Sequence, residues 1–79
     1  MRYDPPMTTR PAKHSLTLHG HRTSVSLEPA FWEAFRAIAT DRAIPLNQLA
    51  TEVDESRAGD EGLASAIRVF CLTHYRERP

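Results

Sequence analysis

The sequence predicts a mostly α-helical protein that carries a short β-ribbon near its amino terminus. Polar and apolar residues alternate over residues 14–19 and 22–27, as they do in strands with one buried face. Apolar residues then recur about every 3.6 positions, as in amphipathic helices, in three segments at residues 29–42, 46–57 and 63–76. This order predicts a ribbon followed by three packed helices.

The length of the chain limits it to one domain. Residues 1–12 hold three prolines and no regular apolar pattern, so we expect a flexible arm there and a domain over residues 13–79. A domain of this size is marginally stable alone, and the single cysteine, Cys71, excludes an internal disulfide. Oligomerisation is then the expected way to enlarge the core. The sequence contains no signal peptide and no apolar run of about 20 residues, which favours a cytoplasmic protein and no membrane partner.

The second alternating stretch has one apolar and one polar face. Thr23, Val25 and Leu27 share one side, and the other side carries polar residues, namely Arg22, Ser24 and Ser26. A guanidinium and two small hydroxyls form a set that can contact base edges in a DNA groove. The same residues would also suit an ordinary solvent-facing strand.

The first stretch has a similar pattern, with Leu16 and Leu18 on its apolar side. Gly20-His21 separates the two stretches, and glycine at the first central position favours a type II′ hairpin turn. A hairpin within the chain is therefore one interpretation. In the other, the first stretch is an extended lead-in and the second strand pairs elsewhere.

The first two helices have clear start signals. Pro29 suits the first position of a helix, and an apolar stripe follows at Phe31, Phe35 and Ile38, with Trp32 beside it. Pro45 predicts a break before the second helix, because proline disfavours helical geometry in the residue before it. The second stripe consists of Leu46, Leu49, Ala50 and Val53.

The third helix is apolar around much of its circumference. Asp60 is a candidate amino-terminal cap for it, and Gly59 is expected to end the preceding helix. Its first stripe consists of Leu63, Ala66, Ile67, Phe70 and Cys71, and its second of Val69, Leu72 and Tyr75. A helix with two apolar faces in so small a chain predicts a subunit interface.

Two segments resemble a known family. The run from Gly20 to Glu28, followed by Phe31-Trp32, and the later segment from Leu63 to Arg68 are similar to those of a small bacterial group within the ribbon-helix-helix family. The similarity covers residues 13–76. It implies an intertwined homodimer whose paired strands enter the DNA major groove. The simplest members have one strand and two helices, so this chain would carry an extra amino-terminal strand and a third helix.

The resemblance also implies site residues. Arg22, Ser24 and Ser26 would contact bases. Phosphates would be held by the first turn of the second helix and by the basic arm, through Leu46, Asn47, Gln48, Arg10 and Lys13. The residues expected in the core or dimer interface are Val25, Leu27, Phe31, Trp32, Phe35, Ile38, Leu49, Val53, Leu63, Ile67, Phe70 and Leu72.

Charge is segregated along the chain although its net value is zero. Residues 1–27 have a balance of +3, residues 28–62 of −5 and residues 63–79 of +2. A basic ribbon with an acidic middle would orient the molecule on a polyanion. We therefore predict a homodimeric, sequence-specific DNA-binding protein, a small transcriptional regulator. The alternative is a protein-interaction module, antitoxin-like or an adaptor, with the same dimer fold and little or no DNA binding.

Metal binding and catalysis have less support. His19, His21, Cys71 and His74 are possible zinc ligands, but Cys71 lies in an apolar stripe and the first two histidines suit a turn. The adjacent carboxylates at 54–55 and 60–61 do not face one another on a helix, and no nucleophile motif or phosphate loop is present. We predict no metal, no cofactor and no enzymatic activity.

Overall fold

The computed structural model describes residues 10–78, which form a two-stranded antiparallel hairpin followed by three helices. The strands are β1 (Ala12–Leu18) and β2 (His21–Leu27), and the helices are α1 (Pro29–Asp41), α2 (Leu46–Ser56) and α3 (Leu63–Arg76). This architecture confirms the predicted fold class, including the added strand and helix. The predicted arm at residues 1–12 lies outside the described residues as far as residue 9, and β1 begins at its last position.

The two strands pair within the chain, so β1 is a true strand and not a lead-in. Leu18 lies opposite His21, so the two-residue turn is His19-Gly20 and not the predicted Gly20-His21. Both turn residues have positive φ, 53° at His19 and 79° at Gly20. The turn is therefore of the I′ kind, in which the second position favours glycine, and the predicted type II′ turn is wrong.

One face of the hairpin covers the helices. Leu16, Leu18, Val25 and Leu27 are buried there, and β1 also contacts α2 while β2 contacts α3. Together with residues from all three helices they form one core, which consists of Leu16, Leu18, Val25, Leu27, Phe35, Ile38, Ala39, Leu49, Ala50, Val53, Ala66, Ile67 and Cys71. The hairpin and the helices are thus held together by a single apolar layer.

An aromatic contact joins β1 to α1 at the edge of this core. The imidazole of His14 stacks on the indole of Trp32, with ring centroids 3.9 Å apart and planes inclined by 6°. Both side chains are half-buried. The stack fixes the first strand against the first turn of the helix.

α1 ends in a left-handed residue. Ala43 has a φ of 58°. The N–H of Ala43 donates to the carbonyl of Thr40 at 3.0 Å, and the N–H of Ile44 donates to that of Ala39 at 3.1 Å. This is the Schellman arrangement, here without the usual glycine. The predicted break before Pro45 is therefore produced by the backbone of Ala43 as well as by the proline.

α3 packs on α1 and α2 within the same chain, and most of its apolar side is buried there. Its amino-terminal cap is Gly62 with no side-chain hydrogen bond, so the prediction of Asp60 is wrong. Leu72 is 55% exposed and lies outside the core, and the other exposed large apolar residues are Val69, at 56%, and Tyr75, at 42%. The first apolar stripe of α3 thus packs within the single chain, whereas the second stripe is exposed.

Among residues 10–78, none of the three helices is long and apolar enough to cross a membrane.

Candidate nucleic-acid interface

The hairpin side away from the core is a continuous polar surface. Directly opposed residues of an antiparallel pair lie on the same face, so the register joins Lys13 to Ser26, Ser15 to Ser24, and Thr17 to Arg22. We call this surface the outer face of the hairpin, and it consists of Lys13, Ser15, Thr17, Arg22, Ser24 and Ser26. All six side chains are exposed. The surface offers two cations and four hydroxyls, with no carboxylate among them.

The first turn of α2 is attached to the edge of this surface. Asn47 Oδ1 accepts a hydrogen bond of 3.0 Å from the backbone N–H of Thr17. That contact brings α2's amino terminus beside the pair formed by Thr17 and Arg22. It also shows that the N–H of Thr17 points away from β2, so Thr17 and Arg22 form a non-hydrogen-bonded pair of the ladder.

The alternation of the ladder defines the free edge of β2. Because Thr17 and Arg22 do not bond to each other, the backbone groups of Arg22, Ser24 and Ser26 point away from β1. Arg68 Nη2 lies 3.5 Å from the carbonyl oxygen of Ser26 at this edge. Within the described part of the chain, Arg22 and Ser24 have no backbone hydrogen-bond partner there.

The three residues of α2 that are predicted to hold a phosphate have different surroundings. Leu46 is half-buried against the core, whereas Asn47 and Gln48 are exposed. The Oδ1 atom of Asn47 is occupied by Thr17, which leaves its Nδ2 group as a donor. Gln48 donates from Nε2 to Glu52 at 3.4 Å, and its own backbone N–H bonds to Pro45. The free amides of the first turn are therefore those of Leu46 and Asn47, among the residues described.

The cations of the outer face are not neutralised within the described residues. Lys13 and Arg22 form no ion pair there, in contrast to Arg57, which bonds Asp54 at 2.7 Å, and to Arg68. Arg10, also predicted to contact phosphate, is exposed and precedes β1 directly. The outer face thus keeps its positive charge.

The tip of the hairpin lies in an acidic environment. His19 Nε2 is 3.7 Å from a carboxylate oxygen of Asp54 and 3.8 Å from one of Glu55, both on α2. These carboxylates would repel a polyanion that extended past the turn. The positive surface is therefore limited to the strands.

An ion pair connects the end of β2 to α3. Arg68 Nε donates to Glu28 Oε1 at 2.8 Å, and its Nη2 donates to the other carboxylate oxygen at 3.2 Å. The hydrogen bond from Arg68, supported by a backbone hydrogen bond, holds the pKa of Glu28 below its usual value. The pair fixes the strand end against the added helix.

A ribbon-helix-helix domain family model matches residues 11–75, which is most of the chain. The chain belongs to the ribbon-helix-helix domain family. Domains of this family generally bind DNA as dimers in transcription regulators, and they are typically non-enzymatic. No curated protein and no solved structure matches the chain.

The strands of this ribbon-helix-helix domain carry polar residues that sequence reasoning left out. Ser15 and Thr17 lie on the outer face beside Ser24 and Arg22, because β1 pairs with β2 inside the chain. The alternation in the first stretch already placed both residues opposite Leu16 and Leu18. What was missing was the pairing partner, which alone puts both polar sides on one surface.

The possible metal ligands of the domain are spread over its surface and core. Cys71 is buried on α3, and burial raises the pKa of its thiol to about 11. His19 lies at the hairpin tip beside Asp54, and His74 lies against the ring of Tyr75. In the part of the chain that the structure describes, no group of three or more histidine, cysteine, aspartate or glutamate residues is placed to hold a metal ion.

Proposed function

We propose that this protein is a homodimeric transcription regulator that binds a specific DNA sequence in the major groove with the outer face of its hairpin. One observation carries the proposal. The outer face presents two cations that form no ion pair within residues 10–78 and four hydroxyls, all on one ribbon and with no carboxylate among them. Guanidinium and hydroxyl groups on a β-ribbon are suited to base edges and phosphates in that groove.

The free edge of β2 supports pairing with a second copy of the chain. An antiparallel pair centred on Ser24 would place Thr23 opposite the partner's Val25, and Arg22 opposite the partner's Ser26. Apolar residues then meet apolar residues on one face, and polar residues meet on the other. A pair centred on Arg22 would instead oppose two like charges, which is unfavourable. The sequence of β2 therefore favours one symmetric register.

Such a dimer assigns different tasks to the two strands. Strands lie about 4.8 Å apart, so four of them span about 14 Å, more than the major groove width of about 12 Å. The central strands, with Arg22, Ser24 and Ser26, would enter the groove and contact bases. The outer strands, with Lys13, Ser15 and Thr17, would lie over the phosphate backbones.

The amino terminus of α2 supports a phosphate contact beside the ribbon. The amides of Leu46 and Asn47 lie at the positive end of the helix dipole, next to the hairpin edge that Asn47 holds. The Nδ2 group of Asn47 adds a donor at the same place. This contact would fix the depth at which the ribbon sits in the groove.

The test begins with selection of bound duplexes from a random DNA pool by the wild-type protein. Fluorescence anisotropy then measures the affinity of the selected duplex for two variants. Arg22→Ala should weaken binding by about 1–3 kcal/mol for each lost base contact and relax the sequence preference. Arg36→Ala, which removes an exposed arginine of α1 outside the outer face, is the matched control. Failure to enrich any sequence, or equal effects of the two variants, would overturn the proposal.

Salt dependence separates the phosphate contacts from the base contacts. Lys13→Ala should weaken binding to every duplex alike and reduce the slope of log affinity against log salt by about 1 for each subunit. Arg22→Ala should change the preferred sequence as well. If Lys13→Ala changes sequence preference and leaves the slope intact, the assignment of tasks to the strands is wrong.

One observation favours a second function, that of a protein-interaction module. The acidic side chains of α2 approach the hairpin tip, with Asp54 and Glu55 both within 4 Å of His19. Carboxylates beside the ribbon favour a basic protein surface over a polyanion. A wild-type protein that enriches no duplex but forms a stoichiometric protein complex disrupted by Glu55→Gln would support this function instead.

A further inference from the structure

A cleft lies where the end of α1 meets the last turns of α3. Its wall consists of six residues from the two helices and the segment that follows α3, namely Arg42, Phe70, Thr73, His74, Glu77 and Arg78. Four of them are spaced at i, i+3, i+4 and i+7 along the chain from Phe70, so they share one side of α3. The cleft has a volume of about 320 Å³, which is within the range of small-molecule sites in proteins.

The aromatic wall of this cleft is anchored to the core. Phe70 is half-buried and meets the ring of Phe35 edge-on, with centroids 6.1 Å apart and planes inclined by 87°. Phe35 itself is 0% exposed. A ring that is fixed in this way offers a preformed surface to an apolar or planar group of a ligand.

Two guanidinium groups border the cleft, and neither forms an ion pair within residues 10–78. That of Arg42 lies 5.2 Å from the ring centroid of Phe70, and that of Arg78 lies 5.6 Å from the ring centroid of Tyr75. The ring of Tyr75 is in turn met edge-on by His74, with centroids 5.0 Å apart. Contact with an aromatic face restricts each guanidinium and leaves its N–H groups free to bind a carboxylate.

A carboxylate lines the same cleft. Glu77 is exposed, and its side chain forms no ion pair with any described residue. Its position is fixed by its backbone N–H, which donates to the carbonyl of Thr73 at 3.0 Å. Glu77 would repel a simple anion, and the two arginines would repel a simple cation. The cleft therefore suits a ligand that carries both charges and an apolar group.

We propose that this cleft binds a small zwitterion with an aromatic side chain, which is the chemistry of a free aromatic amino acid. The carboxylate of the ligand pairs with Arg42, and Arg78 adds a second positive charge beside it. The ammonium group of the ligand bonds the carboxylate of Glu77, and its ring packs against Phe70. The cleft shares no residue with the outer face of the hairpin, so this inference does not rest on the proposed function.

An NMR titration of the isotope-labelled full chain with L-phenylalanine measures binding through the backbone amide shifts. The amides of Arg42 and of residues 70–78 should shift and saturate, whereas that of Ser24, on the outer face, should not. The absence of a saturable shift would overturn the proposal.

Two further probes each lack one charge of the zwitterion. Phenylpropionate keeps the ring and the carboxylate but has no ammonium group, and phenethylamine keeps the ring and the ammonium group but has no carboxylate. Each should bind about fivefold more weakly than L-phenylalanine, or weaker still, because one ion pair is lost. Equal affinities for L-phenylalanine and phenylpropionate would overturn the role of Glu77 and with it the zwitterion.

Matched variants locate the ligand in the cleft. Arg42→Gln and Glu77→Gln should each weaken the binding of L-phenylalanine by about fivefold or more. Arg36→Gln, at an exposed arginine of α1, and Glu52→Gln, at an exposed carboxylate of α2, are the controls and should leave it within about twofold of wild type. The amide spectrum of each variant confirms that it is folded.

The contrast between probes gives a second readout of the same variants. Glu77→Gln should abolish the preference for L-phenylalanine over phenylpropionate, and Arg42→Gln should abolish the preference for L-phenylalanine over phenethylamine. Equal effects of the cleft variants and their controls would overturn the assignment of the site. The DNA affinity of the hairpin is measured separately, so either proposal can fail without the other.

Discussion

The two faces of the hairpin are built from alternate residues of the same strands, yet they have opposite surroundings. Leu27 is 0% exposed in the core, and its neighbour Ser26 is exposed on the outer face. The inner face attaches the hairpin to three helices, whereas the side chains of the outer face are exposed and form no hydrogen bond or ion pair with any described residue. Stability and the proposed DNA contact therefore depend on separate residues and can be changed independently.

The largest effect should come from adjacent substitutions on the two faces. Leu27→Ala leaves a cavity in the core and should lower the free energy of unfolding by about 2–5 kcal/mol. Ser26→Ala should change it by less than about 0.5 kcal/mol, because that side chain has no partner in the core. Urea denaturation followed by circular dichroism measures both. Similar losses for the two variants would contradict the separation of the faces.

A turn substitution tests how firmly the two faces are kept in register. Gly20 has a φ of 79°, and a Cβ atom there would meet nothing within 4 Å. Gly20→Ala should therefore cost about 1–2 kcal/mol through backbone strain alone. His19→Gly, which relieves the left-handed residue beside it, is the control and should not show this loss. Thermal denaturation of both variants provides the comparison, and an unchanged midpoint for Gly20→Ala would contradict the I′ turn.

The side chain of Asn47 links the hairpin edge to α2, so its removal sharpens the comparison. Asn47→Ala should cost about 0.5–1.5 kcal/mol, because the N–H of Thr17 loses its acceptor. Gln48→Ala removes only a contact within the helix and should cost less. Hydrogen exchange of the Thr17 amide, measured by NMR, should accelerate in the first variant only. Equal protection in both would mean that the amide is held by other contacts.

The smallest effect concerns pH at the end of β2. The hydrogen bond from Arg68 lowers the pKa of Glu28, so the folded state favours the carboxylate. This stabilisation is present above the ordinary pKa of 4.5 and is lost as the pH falls through the lower folded value. Glu28→Gln should reduce the acid-induced loss of stability relative to wild type. In an Arg68→Met background, Glu28→Gln should not change the acid-induced loss of stability. If Glu28→Gln still reduces that loss there, the pH dependence comes from a group other than the Arg68–Glu28 pair.

The amino-acid pattern predicts the elements of this fold better than it predicts their pairing. Polar–apolar alternation identifies both strands, but registers that differ by two residues bury the same side of each strand. Placing the turn at Gly20-His21 or at His19-Gly20 therefore keeps Leu16 and Val25 facing the core. The choice between these two turns depends on which pair of neighbouring residues can both adopt a positive φ. Alternation contains no information on that point.

Contacts between distant residues explain the rest of the difference. The first apolar stripe of α3 packs in the core of its own chain, whereas the second stripe, Val69, Leu72 and Tyr75, is exposed, so the subunit interface there stays a prediction. Helical periodicity gives the width of an apolar face and not its partner. The ion pair of Arg68 with Glu28 joins residues 40 positions apart, and although both end family-like segments, no periodicity in the sequence pairs them. The site residues on β2 follow from the pattern, whereas Ser15 and Thr17 needed the pairing.

The stack of His14 on Trp32 gives the molecule a built-in optical reporter. Trp32 is the single tryptophan of the chain, and its indole lies face to face with an imidazole from the first strand. Separation of the two rings would change the surroundings of the indole and with them its emission. The fluorescence of Trp32 should therefore change when the hairpin detaches from the first helix, so a dye-free emission measurement can follow the docking of the hairpin in real time.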